Sequence, residues 1–250
     1  PGTTIAITGT STANNVSWGV HGRILGFLEQ VKLSREVDLS AAWDNQQIIS
    51  GLKLPVFQCP SDPQSALMRN PGPGKAQLYS TNYGFNYGTW FVFDPADGAG
   101  GDGAFFPNSR LSMGSFLDGS SNTLLASEVR AWQPYTRNGG PPSTAVPATV
   151  ADAEVAVASG TEFKNTGHTE WPDGRVHHTG FTVTMAPNTF VAYTNRGVTH
   201  VADDNSWQEG KNGFAGFPTY AIITSRSAHA GSVNSLFVDG SVHTVSSSVD

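Results

Sequence analysis

Three aspartates in a glycine-rich loop are the first candidates for metal chemistry. Asp94, Asp97 and Asp102 lie in the segment DPADGAGGDG, three and five residues apart. Calcium takes roughly six to eight oxygen ligands from carboxylates and backbone carbonyls, and glycine lets a loop bend around the ion. Because the spacing does not match an EF-hand loop, a solvated surface loop is the favoured interpretation. Calcium is the metal hypothesis that this loop carries.

A second group of potential ligands surrounds a pair of histidines. Asp173, His177 and His178 follow His168 and Glu170 closely in the sequence. Zinc would require two or three histidines that converge with a carboxylate. Adjacent side chains on a strand point to opposite faces, so His177 and His178 would not both reach one ion there. The sequence therefore disfavours zinc at this position.

His229 precedes Asp239 and Gly240 in an H-x9-D-G arrangement near the end of the chain. A histidine can serve as a general base or a metal ligand. Asp239 already has a structural role in a turn, so we favour a scaffold role for this motif, in which the imidazole hydrogen-bonds loop backbone. The chain has no nucleophile elbow, P-loop or dinucleotide-binding glycine motif. We therefore expect a protein that is not an enzyme.

Cys59 is the one cysteine of the chain and lies in the segment FQCPSDP, next to Pro60 and close to Asp62. An odd cysteine in a chain that otherwise looks exported indicates either a free buried thiol or a partner outside the visible segment.

Two tryptophans beside glycine-rich loops are candidates for ligand stacking. Trp90 and Trp207 are expected to be more exposed than the other aromatic residues, where they would stack on sugar rings or anchor a neighbouring subunit. A packed core is the alternative, and we favour it for most aromatic residues. The alternation of Tyr83, Phe85 and Tyr87 places these three on one core-facing side of a strand.

Two helices and a short edge strand are predicted in the N-terminal part of the chain. Apolar residues at three-to-four spacing predict a helix over 18–30 with Ser17 as its N-cap. Its apolar face comprises Val20, Ile24, Phe27, Leu28 and Val31. A second short helix is predicted to begin at Asp44, with Ile48, Ile49 and Leu52 facing inward and Gly51 near its end. Three prolines within residues 54–63 predict a short edge strand that runs into a turn.

Strands and loops are predicted for the remainder of the chain. Strands are expected over 123–129 and 219–224, and the tyrosine- and asparagine-rich segment 78–90 begins the part of the chain made of strands and loops. The segment 150–158 fits either a helix or a strand. Residues 139–142 form a flexible crossing that could be a subdomain seam. Asp239-Gly240 lies between two apolar stretches and predicts a hairpin with a type I′ turn, which requires positive φ at both central residues.

Composition limits the class of protein. Charged residues make up 14% of the 250 residues, the net charge is −6, and 38% of residues are hydrophobic. With 28 glycines and 15 prolines, this composition excludes a coiled coil or a helical bundle, and it argues against disorder and against a basic nucleic-acid binder. No run approaches the roughly 18 apolar residues of a membrane span. We expect one α+β domain over 1–250, and because the chain opens at Pro1 without methionine, a processed piece.

Five stretches, in order along the chain, resemble the DUF1559 family, a solute-binding-like family of prepilin-type H-X9-DG proteins abundant in planctomycete-type bacteria. These stretches are Ser17 to Gln30, Phe57 to Pro63, Asp118 to Thr123, Trp171 to Thr182, and Ser225 to Val242. Each motif alone is weak, but five in this order are specific. The resemblance covers almost the whole chain.

The resemblance implies an exported, non-enzymatic pilin-like (pseudopilin) head, dominated by an antiparallel sheet, with an N-terminal helix and a C-terminal hairpin. It implies anchoring through a helix upstream of the chain, a location at the cell surface or in the periplasm, and self-association or other pilin-like subunits as partners. It also suggests a disulfide from Cys59 to that upstream region, and calcium as the metal. No nucleic-acid partner is expected. The alternative function is a module that binds a glycan or another small solute.

Overall fold

The computed structural model describes residues 17–249 and shows a mixed α+β protein made mostly of short strands. The α+β class predicted from the sequence is confirmed. The opening residue Pro1, on which the expectation of a processed chain depends, lies outside the described residues. Within residues 17–249, no helix is long and apolar enough to cross a membrane.

The α-helices of the described residues are short. They are α1 (Val20–Ile24), α2 (Val31–Glu36), α3 (Val150–Ser159) and α4 (Val176–Thr179). Short 3₁₀ segments occupy Leu25–Phe27, Trp43–Asn45, Gln47–Ile49, Pro55–Phe57, Pro63–Ala66, Met113–Ser115 and Gln208–Gly213.

The strands, in chain order, are β1 (Met68–Arg69), β2 (Leu78–Tyr79), β3 (Tyr83–Asn86), β4 (Phe91–Phe93), β5 (Leu124–Glu128), β6 (Gln133–Arg137), β7 (Glu162–Gly167), β8 (Gly180–Phe181), β9 (Ala192–Asn195), β10 (Val198–Val201), β11 (Asp203–Asn205), β12 (Thr219–Ile222), β13 (Ser232–Phe237) and β14 (Val242–Ser246). Two five-stranded sheets have the orders β4-β12-β11-β6-β7 and β14-β13-β5-β3-β8. Most neighbours are antiparallel, as expected, but β6 pairs with β11 and β3 with β8 in parallel.

The core has three parts. One lies beneath the N-terminal turns around Trp18, Leu25 and Trp43. A second combines side chains from both large sheets, among them Phe85 of β3 and Phe93 of β4. The third packs α3 against the sheet that contains β12.

The segment over 150–158 that fitted either a helix or a strand is the helix α3. Thr149 and Asp152 form a capping box in which the Thr149 hydroxyl accepts from Asp152 N and the Asp152 carboxylate accepts from Thr149 N. Such a cap contributes about 1 kcal/mol. Ala153, Ala156 and Val157 are buried at three-to-four spacing, so both capping and burial favour the helix.

The predicted N-terminal helix over 18–30 is wrong in extent. The structure places only α1 and a 3₁₀ turn within this range and begins α2 at Val31. It leaves Phe27 88% exposed and makes Gly19 rather than Ser17 the N-cap. A Cβ at Gly22 would lie 2.5 Å from the Trp18 ring. This glycine therefore permits close packing, although it lowers helix propensity.

Two neighbouring predictions are also wrong. The helix expected from Asp44 is a pair of 3₁₀ turns, and Ile48 is exposed rather than inward-facing. The edge strand expected over 54–63 is replaced by 3₁₀ turns that begin at Pro55 and Pro63. Proline fixes φ near the helical value and lacks an N–H, so it suits the first position of such a turn.

The C-terminal hairpin of β13 and β14 is confirmed, but its turn is not type I′. Gly240 has a φ of +87°, whereas Asp239 is not among the left-handed residues. Gly240 N donates to Phe237 O, and Phe237 N donates to Ser241 O. This pattern is a three-residue loop in which one left-handed glycine forms the bulge.

Candidate functional site

A polar cavity of about 210 Å³ lies where the antiparallel strands β6 and β7 meet α4 and the loop after β1. We call it the basic pocket. It is lined by Trp43, Asp44, Arg69, Pro71, Lys75, Tyr135, Arg137, Lys164, Thr166, Glu170, His177, His178 and Lys211.

The β6–β7 strand pair supplies one wall of the basic pocket through strand alternation. Tyr135 and Arg137 are two residues apart on β6, and Lys164 and Thr166 are two apart on β7. Side chains two residues apart on a strand share a face. Tyr135 pairs directly with Lys164, so all four side chains lie on the same side of the strand pair.

Positive charge is in excess in the basic pocket. Its basic side chains are Arg69, Lys75, Arg137, Lys164 and Lys211. Asp44 and Glu170 also line it, and Glu162 lies 2.9 Å from Arg137 and 2.7 Å from Lys164. Lys75 is paired with Asp44. The five cations exceed these three carboxylates by two charges, although the whole chain carries a net charge of −6.

Glu170 is the anionic centre of one side of the pocket. Arg69 Nη1 lies 2.8 Å from Glu170 Oε1, and His178 Nε2 lies 2.8 Å from Glu170 Oε2. Burial alone would raise the pKa of Glu170, but the hydrogen bond from His178 and the positive charge of Arg69 hold it below its usual value. Burial also lowers the pKa of His178. We therefore assign a neutral imidazole that donates to the carboxylate, with Arg69 as the compensating charge.

The two adjacent histidines lie on α4, not on a strand as the sequence argument assumed, and their ring centroids are 4.3 Å apart. His177 stacks on Tyr135 at 4.7 Å, and its Nδ1 accepts from the Asn205 amide at 2.7 Å. Burial, reinforced by the neighbouring His178, lowers the pKa of His177 well below its usual value. Neither histidine adds positive charge at neutral pH.

Two polar atoms of the pocket lining have no protein partner among the described residues. They are Trp43 Nε1 and His178 Nδ1, both buried. Buried polar atoms almost always find a hydrogen-bond partner in the protein, in water or in a ligand. The pocket thus contains hydrogen-bonding capacity that the protein itself leaves unused.

Lys211 is the cation whose charge is most sensitive to its surroundings. Burial and the nearby Arg175 lower the pKa of Lys211 to about 8. Burial raises the pKa of Tyr135 to about 12. At neutral pH the lysine is therefore mostly protonated, and the tyrosine is a neutral hydroxyl.

Cys59, Glu128 and His229 meet at a second place, which we call the thiol cluster. His229 Nε2 lies 3.7 Å from Cys59 Sγ and 3.4 Å from Glu128 Oε1. The His229 ring thus reaches two side chains instead of the loop backbone that the sequence argument expected. Cys59 is buried and forms no disulfide within residues 17–249, which agrees with the free buried thiol that was one of the two alternatives.

Asp62 and Asp239 both hold turns. Asp62 is buried, where Oδ1 accepts from Gln64 N and Oδ2 accepts from Asn82 Nδ2 and Ala131 N. Asp239 is exposed and accepts from the backbone N–H and the hydroxyl of Ser241. Pro60 follows Cys59 on the exposed side of its turn.

The three loop aspartates are not gathered around one point. Asp94 and Asp97 each accept from a backbone N–H two residues on, and Asp102 accepts from the N–H and hydroxyl of Thr89. Among residues 17–249, only two groups of three or more His, Cys, Asp or Glu have ligand atoms all within 4.8 Å, and neither contains these aspartates. The structure gives the calcium hypothesis no shared site.

The predictions for the aromatic residues have different outcomes. Trp90 is 2% exposed and packs on Tyr220, so its expected exposure is wrong. Trp207 is half-buried and lies 4.6 Å from Phe214 and 4.9 Å from Phe217, measured between ring centroids. On β3, Phe85 is buried but Tyr83 is exposed, because the strand leaves the core at its first residue.

Sequence reasoning missed most of the basic pocket. Its members extend from residue 43 to residue 211 and share no motif. The available signal was the pairing of polar residues two apart within β6 and β7, beside the histidines and Glu170 that the sequence did single out.

A family model described as "Protein of unknown function (DUF1559)" matches residues 1–250. No curated protein and no solved structure matches the chain.

Proposed function

The chain belongs to the DUF1559 family, and on that premise we propose that it is a non-enzymatic module that binds a small anionic solute in its basic pocket. The observation that carries the proposal is the convergence of five basic side chains on one cavity in an acidic protein. A cleft lined by one sign of charge concentrates ligands of the opposite sign. This develops the small-solute alternative of the sequence analysis.

The chemistry of the lining favours a carboxylate or phosphate group. Arg137 is fixed by Glu162 on two nitrogens and by Gln208 on the third. It therefore supplies a positioned positive charge, while Lys164 and Lys211 offer ammonium donors that can turn towards a bound anion. Trp43 Nε1 adds a neutral donor without a protein partner among the described residues.

The lining also supports binding rather than turnover. None of the residues that line the cavity is a serine or cysteine. The Tyr135 hydroxyl has a pKa of about 12 because it is buried, which makes it a poor nucleophile at neutral pH. These features favour a site that holds a solute unchanged.

Thermal unfolding in the presence of candidate solutes tests the proposal. The probes are inorganic phosphate, a dicarboxylate and a sugar phosphate, with the corresponding neutral sugar for comparison. At about 100 times its dissociation constant, a ligand should stabilise the protein by about 2.7 kcal/mol. At least one anion should do so, and the neutral sugar should not.

Matched lysine variants locate the binding. Lys211→Gln and Lys164→Gln should each weaken the stabilisation, whereas Lys32→Gln, whose side chain is 90% exposed outside the pocket, should leave it intact. Failure of every anion to stabilise the protein would contradict the proposal. So would equal stabilisation of the wild type and both pocket variants.

A second function, assembly as an exported pilin-like head, has one supporting surface. Leu111, Met113 and Leu117 are exposed on one loop, and Leu117 is 92% exposed. Exposed apolar side chains grouped in this way often mark protein interfaces. The partners would be further copies or other pilin-like subunits, at the cell surface or in the periplasm, with membrane attachment through a helix upstream.

Cell fractionation and solution mass test the assembly function. The full-length protein should occur in a membrane or appendage fraction, and its finding wholly in the cytosol would contradict export. Self-association measured by light scattering should weaken in Leu117→Asp but not in Val242→Asp, which changes an exposed residue on β14.

A further inference from the structure

The thiol cluster combines the three ligand types that zinc prefers. Cys59, Glu128 and His229 provide a thiol, a carboxylate and an imidazole, with ligand atoms all within 4.8 Å of one another. Structural and catalytic zinc sites are built from these side chains. The three residues come from sequence positions far apart, so only the fold brings them together.

Two of the three distances between ligand atoms match a tetrahedral ion, and the third, between Cys59 Sγ and the Glu128 carboxylate, is within 4.8 Å. Zinc bonds of about 2.3 Å to sulfur and about 2.0–2.2 Å to nitrogen and oxygen place sulfur about 3.6 Å from nitrogen, and nitrogen about 3.4 Å from oxygen. The structure has 3.7 Å between Cys59 Sγ and His229 Nε2 and 3.4 Å between His229 Nε2 and Glu128 Oε1. An ion could therefore sit between these atoms with little rearrangement.

Surrounding hydrogen bonds hold two of the ligands in place. Glu128 Oε2 accepts from Asn234 N at 2.7 Å, which leaves Oε1 turned towards His229. Cys59 N donates to Asn82 Oδ1 at 2.9 Å. Partners of this kind orient ligands and tune the affinity of metal sites.

Charge and access also suit a divalent cation. A thiolate and a carboxylate together neutralise two positive charges. Cys59 and Glu128 are buried, whereas the His229 side chain is 41% exposed. Three protein ligands with one side open to solvent is the arrangement that leaves a fourth position for water.

The other group of potential metal ligands is already paired with arginines. Glu170, Asp173 and His178 also lie within 4.8 Å of one another. Arg69 is 2.8 Å from Glu170, and Arg175 is 2.6 Å from Asp173. A metal there would have to displace two guanidinium groups, whereas a metal at the thiol cluster displaces none.

We propose that Cys59, Glu128 and His229 form a zinc site, with its fourth position open to solvent. In this assignment the histidine of the H-x9-D-G motif is a metal ligand, and Cys59 binds the metal as a thiolate instead of forming a disulfide. The site is independent of the basic pocket and does not rest on the proposed function.

Cobalt(II) titration of the reduced chain tests the proposal, because cobalt replaces zinc and reports thiolate ligation by a charge-transfer absorption. We expect one cobalt per chain, the appearance of that absorption, and its loss on addition of zinc. Cys59→Ser should abolish the absorption. His229→Gln should weaken binding by more than the roughly 10- to 100-fold cost of losing an outer-shell partner.

The control is His243→Gln, which changes an exposed histidine of β14 that contacts Ser241 and should bind cobalt like the wild type. The partly exposed His229 allows a test even if Cys59→Ser does not fold. Absence of a thiolate absorption, or wild-type affinity in His229→Gln, would overturn the proposal. A Cys59 that is found in a disulfide in the purified protein would also overturn it.

Discussion

The basic pocket and the thiol cluster differ in how the protein balances their charges. In the basic pocket, arginines and lysines are paired with Asp44, Glu162 and Glu170, and a positive excess remains. In the thiol cluster, a carboxylate and a thiol face a single half-exposed imidazole. The difference indicates an anion for the first site and a cation for the second.

The two sites also differ in how they are built. The pocket wall consists of alternate, same-face side chains on β6 and β7, so its geometry follows from the register of this antiparallel pair. The ligands of the thiol cluster lie in a turn, at the end of β5 and in the loop before β13. The pocket is therefore secured by sheet structure, and the cluster by hydrogen bonds around its turns.

The largest expected effect comes from removing one partner of the pocket's ion pairs. Arg69→Ala leaves Glu170 with its carboxylate buried and without its arginine. Breaking a buried pair costs about 3–5 kcal/mol, and we expect about 3 kcal/mol because Arg69 is partly exposed. Urea unfolding of the variant and the wild type measures the difference.

Two further variants check the cause. Arg69→Ala combined with Glu170→Gln should recover part of the lost stability, since the uncompensated charge is gone. Glu128→Gln at the thiol cluster should cost less than Arg69→Ala. An equal loss in both single variants would mean that the two sites do not differ in charge balance as described.

The pH dependence of anion binding gives a second contrast. Burial lowers the pKa of Lys211 to about 8, so the ammonium is lost as the pH rises through that value. Because an anion binds the protonated form, affinity should fall between pH 7 and pH 9. A hydrogen bond from a charged group contributes about 1.5 kcal/mol or more, which corresponds to roughly a tenfold loss.

Calorimetric titration at several pH values measures this effect, with Lys211→Gln as the control. The variant should bind more weakly at pH 7 and should lose the change near pH 8. An affinity that stays constant from pH 7 to pH 9 in the wild type would exclude Lys211 from the binding site.

The features that could be predicted from the sequence are those that depend on local patterns rather than on tertiary contacts. The strands β5 and β12 and the C-terminal hairpin followed from local patterns. The helix over 18–30 failed because the chain leaves the helix after Ile24, through a 3₁₀ turn and a left-handed Glu29 with a φ of +60°, and apolar periodicity does not reveal such a break. Cys59 and His229 were singled out because they lie in short motifs, whereas Glu128 was not.

The basic pocket lay beyond such reasoning because its residues meet only through sheet topology. Lys211 follows β11, which pairs in parallel with β6, and this pairing brings the lysine near Arg137 without any shared spacing. The two histidines were noticed but placed on a strand. Their true position on α4 depends on tertiary contacts, including the bond from Val176 N to Glu209.

The smallest expected effect separates the two ends of the H-x9-D-G motif. Gly240→Ala places a Cβ at a φ of +87°, in open space with no atom within 4 Å. The cost is therefore conformational, about 1 kcal/mol, and should appear as a lower urea midpoint with an unchanged slope. Gly240→Asn should cost less, because asparagine tolerates the left-handed region.

Cobalt affinity should remain that of the wild type in both variants, since the His229 contacts lie at the other end of β13. If Gly240→Ala weakened cobalt binding as much as His229→Gln, the turn and the metal ligand would act as one unit, and the hairpin and the thiol cluster would not be independent.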